Sequence, residues 1–176
     1  MRAGGHATLQ QRQAVAWFGK VVAAWDVRAV AGGQWDTVFG YKGESFVVDP
    51  GWIAGLSAGK NWRRQDGWRP HIGIGAALAV AAGNGPGNRR LIAGDLRLSG
   101  DVGWTFFERL DLHAVGRIFG GPVLWRNLTT SDDGNDRWHV QLGAGASVRL
   151  GAGTALFVEA APVGEVSYSA GIAQRW

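Results

Sequence analysis

The chain has 176 residues, a length that suits one domain with either a full core or a closed barrel. It carries 29 glycines and 10 tryptophans while charged residues make up only 18%, which excludes a disordered chain, and the glycines follow no collagen period. The formal charge of +4 is scattered along the chain, without the concentrated basic stripe that nucleic-acid binding requires. There is no cysteine, so neither a disulfide framework nor a thiolate metal site can form.

No apolar run approaches the ~18 residues of a membrane helix. Met1 to His6 lacks the apolar stretch and cleavage site of a secretory signal. Residues 1–16, with Gln10, Gln11, Arg12 and Gln13, read as a polar N-terminal lead-in, and residues 17–176 as the folded domain. A two-residue period then begins. Val15, Trp17, Gly19, Val21, Trp25 and Val27 share one parity, with Asp26 and Arg28 on the other, which predicts a first strand over 17–31. Residues 32–51 hold turn chemistry in Gly32-Gly33, Lys42-Gly43 and Asp49-Pro50-Gly51, and Trp35 to Tyr41 could extend strands past a rim.

Further strands are predicted over 52–62, 68–82, 91–107, 110–125, 137–150, 154–161 and 165–176. The fourth has the cleanest alternation: Ile92, Leu96, Leu98, Val102, Trp104 and Phe106 against Asp95, Arg97, Ser99, Asp101 and Thr105. The connections alternate in length, long at 32–51, 83–90 and 126–136, short at 63–67, 108–109 and 151–153, with only Pro162-Val163-Gly164 short where a long one is due. No helical period competes. The expectation is an all-β, antiparallel, up-and-down barrel of about eight strands.

Period two alone does not say which face looks inward. A soluble ligand-binding barrel of lipocalin type puts its apolar face inside, whereas a membrane barrel puts it outside. The tryptophans and phenylalanines gather at strand ends: Trp17, Trp62, Trp68, Trp104, Phe106 and Trp176 at the short-turn end, and Trp52, Trp125 and Trp138 at the other. Two membrane–water interfaces would select such belts. The opposite parity carries Asp26, Arg28, Asp95, Arg97, Asp101, Asp111, Arg117, Arg149 and Glu159 among glycine, alanine and serine. A charge facing lipid at mid-depth would cost roughly 2–4 kcal/mol, so confining charges to one parity has a physical cause. Those groups are expected to neutralise one another in a plugged polar lumen. Lys60 breaks the parity, near enough to the short-turn end to snorkel.

The C-terminal stretch alternates Val166, Tyr168, Ala170, Ile172 and the final Trp176 against small or charged residues. It resembles the terminal strand of bacterial outer-membrane barrels, and the chain from about residue 17 onward resembles the small eight-stranded proteins of the OmpA/OmpX type. The resemblance implies a monomer in the bacterial outer membrane, its signal peptide removed or cut away, in contact with bilayer and lipopolysaccharide. It implies insertion by the barrel-assembly machinery, with Tyr168, Ile172 and Trp176 as the assembly signal. The loops 32–51 and 126–136 are the natural recognition surfaces for an extracellular ligand.

No catalytic residue, cofactor or metal site is assigned. His71, His113 and His139 lie on separate strands and are not a ligand cluster. A lipid-A-modifying enzyme, the alternative the resemblance suggests, would need a histidine and serine on the lipid-facing surface, and every strand histidine has inward parity. Asp132-Asp133-Gly134-Asn135-Asp136 lacks the spacing of a calcium loop, and Gly73, Gly75, Gly143 and Gly145 are read as making room for bulky neighbours.

Overall fold

The computed structural model describes residues 7–41, 44–62, 70–85, 89–126, 131–135, 139–151 and 153–174. Every secondary-structure element among the described residues is a strand. In chain order the strands are β1 (Ala7–Val22), β2 (Trp25–Tyr41), β3 (Glu44–Val48), β4 (Gly51–Trp62), β5 (His71–Gly85) and β6 (Arg89–Phe106). They continue as β7 (Leu110–Gly120), β8 (Pro122–Arg126), β9 (Ser131–Asn135), β10 (His139–Gly151), β11 (Thr154–Val163) and β12 (Ser167–Gln174). Nine of them form one antiparallel path, β1-β2-β4-β5-β6-β7-β10-β11-β12, while β3, β8 and β9 are side hairpins at one end. The sheet curls into a half-barrel.

The expected first strand is in fact a hairpin, and the expected polar lead-in is largely β1. Val22 pairs with Trp25 across Ala23 and Ala24, whose φ angles are 49° and 69°. Two consecutive left-handed residues make the primed two-residue turn that suits strand twist. Because Val22 and Trp25 are partners, the turn inverts the parity carried through it. Trp17 therefore shares a face with Arg28, whose guanidinium lies 4.7 Å from its ring centroid, and does not share one with Trp25.

The long connection 32–51 is also mostly strand. Arg12 pairs with Trp35 and Gln10 with Val38, so β2 holds one extra residue there, and Asp36 adopts φ 50°. This bulge moves inward-facing positions from Gln34 to Thr37 and Phe39. Phe39, Val48 and Leu91 then form a small buried core, with Phe46 and Val123 against it. Asp132 to Asn135, expected in a solvated loop, pair with β8 as β9, while Asp136 lies outside the described residues.

The two faces of the sheet differ. Leu98 and Leu142 are each 50% exposed, and Leu56, Leu78, Ile118 and Val158 are exposed with them. The opposite parity is covered: His71 is 5% exposed, Asp111 6%, Gln141 3%, and Val115 and Phe119 are buried. The apolar side chains stand on the convex face and the ionic ones on the concave face.

The left-handed turn yields a prediction. Replacing Ala23 by Asn and Ala24 by Gly should raise stability by about 1 kcal/mol, because both replacements relieve the left-handed strain of alanine. A lowered urea midpoint would contradict this turn geometry.

Candidate functional site

On the concave face the strand registers bring residues from six strands into one row. His71 on β5 pairs with Gly103 on β6, and Gly103 with His113 on β7. His113 pairs with Gly145 on β10, and Gly145 with Glu159 on β11, which pairs with Ser169 on β12. Ionisable side chains thus alternate with glycines across the sheet. A β-carbon on Gly145 would lie 2.6 Å from His113 Nε2, and one on Gly103 would lie 2.7 Å from His71 Cε1. Each imidazole rests over a glycine and reaches beyond it. Gly73 leaves the same room for the Asp101 carboxylate.

The contacts alternate acid with base. His71 Nε2 lies 4.0 Å from Asp101 Oδ2, and its Nδ1 3.6 Å from Asp111 Oδ2. His113 Nδ1 lies 3.5 Å from Asp111 Oδ1, and its Nε2 3.8 Å from Glu159 Oε2. Glu159 then takes both ends of the Arg117 guanidinium, each at 2.6 Å. Thr105 Oγ1 donates to Asp111 at 3.0 Å. Arg117 Nη1 donates to Gln141 Oε1 at 3.2 Å, and Gln141 Nε2 donates to the Glu165 carbonyl at 2.6 Å and to Ser167 Oγ at 2.9 Å. The thread runs from Asp111, beside the 107–109 turn, to Glu165, in the connection between β11 and β12 at the far end.

The expected lumen network is sorted accordingly. Asp26 pairs with Arg28 and Asp95 with Arg97, each along its own strand and partly exposed. Arg97 also stacks 5.0 Å from the Phe119 ring, which stacks in turn on His139 at 5.6 Å. Asp101 and Asp111 face imidazoles. Arg149 does not join: it is exposed near the short-turn end and has no ion-pair partner among the described residues. His71, His113, Thr105, Gln141 and Ser167 join the thread without having been assigned to it. Finding them requires cross-strand register, which period two does not supply.

Of the expected belts, Trp52, Trp62, Trp104 and Phe106 are exposed on the convex face. Trp25 stands there too, and Lys60 Nζ lies 6.0 Å from its ring and 5.3 Å from that of Trp62. The ammonium that breaks the parity thus ends on two indole rings. Trp125 lies in β8, whose backbone pairs with β6, while Trp68, Trp138 and Trp176 lie outside the described residues. Tyr168 and Ile172 are exposed on the convex side of β12.

Chemically, the thread sets acids against bases. Neither His71 nor His113 hydrogen-bonds a hydroxyl group among the described residues, so neither is placed to activate a serine. Arg117, always charged, sits in the middle of the thread between Glu159 and Gln141. No family model, curated protein or solved structure matches this chain.

Two outcomes follow. Glu159→Ala leaves the half-buried Arg117 without its carboxylate and should cost about 3 kcal/mol, whereas Arg97→Ala, at a more exposed pair, should cost about 1 kcal/mol or less in the same urea titration. Gly145→Ala should be destabilising, and at least half of its cost should disappear in a His113→Ala background. Additive costs would mean that the imidazole does not depend on the missing side chain.

Proposed function

We propose that this chain is an outer-membrane β-barrel protein with a polar lumen filled by side chains, acting as an envelope anchor or as a binding protein through its end hairpins. One observation carries the reading: large apolar side chains of one parity stand exposed on the convex side from β2 to β12, while His71, Asp111 and Gln141 are buried and Arg117 and Glu159 half-buried on the concave side. Water-soluble monomers rarely expose an apolar surface of that extent. A lipocalin-like barrel, which would bury that parity inside, is disfavoured by the same arrangement.

Dimensions support the reading. β4 has 12 residues and carries exposed tryptophans near both ends. The ~10 residue steps from Trp52 to Trp62 cover ~33 Å at ~3.3 Å per residue. Tilted by ~40°, they span ~25 Å, the height of the apolar band of such barrels. The partners of this reading are the bilayer, lipopolysaccharide, the barrel-assembly machinery engaging the terminal strand, and an extracellular ligand at the β2–β3 and β8–β9 hairpins. Lipid-A modification is not favoured, because His71, His113 and His139 all lie on the concave side, away from lipid.

Fractionation of cells making the full chain tests this. The protein should sediment with the outer membrane and need detergent for release, and lipid A from the same cells should have unchanged mass. Leu98→Arg should lower the stability of the bilayer-inserted protein by roughly 2–4 kcal/mol. Recovery in the aqueous fraction as a monodisperse monomer would contradict the proposal.

A further inference from the structure

The path of strands begins at β1 and ends at β12, and no ladder joins the two among the described residues. Nine alternating strands make these edges run in the same direction. Both finish at the short-turn end: Val22 at the 23–24 turn, and Gln174 paired with Thr154 beside the turn that follows Gly151. Exposed edges are ordinarily blunted by charges, prolines or bulges. From Ser167 to Gln174 there is no charged residue and no proline, and between Arg12 and Lys20 there is likewise none. The two unguarded stretches are of similar length.

A second observation lies beside the β1 edge. Among the described residues, Gln11 Oε1, Gln34 Oε1 and Thr37 Oγ1 have no hydrogen-bond partner, although Gln34 and Thr37 are buried. Buried polar atoms are ordinarily paired, so the surroundings of this edge lack donors.

Resting on the membrane reading, in which hydrocarbon offers an open edge no hydrogen bonds, we infer that β1 and β12 pair with each other in a parallel ladder that closes the nine strands into a barrel within one chain. The inner positions of β12 are Ser167, Ser169, Gly171 and Ala173, while those of β1 include Gln13 and Trp17. Bulk on one side of the seam meets small residues on the other, as it does in the His–Gly–His–Gly–Glu row. Two copies inserted in the same direction would form the same parallel ladder in trans around a wide lumen. Within one chain, however, His71, Val115, Phe119 and Gln141 are already covered, which fits a narrow interior.

The absence of cysteine makes a disulfide test unambiguous. Ala170→Cys is combined in turn with Ala14→Cys, Ala16→Cys and Phe18→Cys, all on the convex side, and the full chain is oxidised with copper phenanthroline. Ala58→Cys with Ala76→Cys, partners across β4 and β5, serves as the reference. At least one seam pair should close within the monomer at a yield within about twofold of the reference. Disulfide-linked dimers, or an unlinked seam beside a linked reference, would overturn the inference. Partitioning of the unmodified chain, measured before oxidation, reports on the membrane reading separately, and the disulfide yields are read whichever fraction holds the protein.

Discussion

An imidazole on one strand reaches a carboxylate two strands away only where the strand between them carries no side chain. His113 reaches Glu159 over Gly145, and His71 reaches Asp111 over Gly103. This steric condition determines much of the concave face. It accounts for glycine at positions 73, 103 and 145, inside strands that glycine would otherwise weaken. It also lets acids and bases from β5, β6, β7 and β11 satisfy one another where water is largely excluded. The same glycines allow the tight curl of the sheet, because bulky groups are never side by side in that row.

The curl turns period two into two different surfaces. Side chains pointing inward share a shrinking volume and must interlock, and there His71, Asp111, His113, Arg117 and Glu159 are paired and largely covered. Side chains pointing outward diverge, and no protein covers them. A convex face bearing Leu56, Leu78, Leu98, Leu142 and Val158, with indoles near its limits, calls for an apolar environment. The membrane proposal follows from that divergence and from the cost of leaving such a surface in water.

Local patterning made the central part of the sheet legible. β6 alternates so regularly that its faces could be assigned from Ile92 to Phe106 without knowing any partner. The hairpin at Ala23-Ala24 was not legible, since alanine carries no turn signal and left-handed φ is foreign to it. That missed turn inverted the assignment of Trp17 and hid β1, which changes the count along the path from eight to nine. The bulge at Asp36 likewise shifts the inward positions by one residue, so that Phe39 joins a buried cluster. In the candidate site, the charges were found by parity but their partners were not. Arg97 turns to Asp95 on its own strand and Arg149 stays exposed, while the histidines approach Asp101 and Asp111 from neighbouring strands, an outcome that depends on register between strands.

The membrane proposal requires lipid to touch one parity of each strand and none of the other. Spin labels placed singly along β6 from Leu96 to Trp104, in the protein reconstituted into vesicles, measure this directly. Collision with dissolved oxygen should peak at Leu96, Leu98, Val102 and Trp104, while a water-soluble nickel reagent should be excluded from those positions. Nickel collisions at Leu98 equal to those of a label on an exposed turn would contradict the account, as would oxygen maxima at Arg97, Ser99 and Asp101.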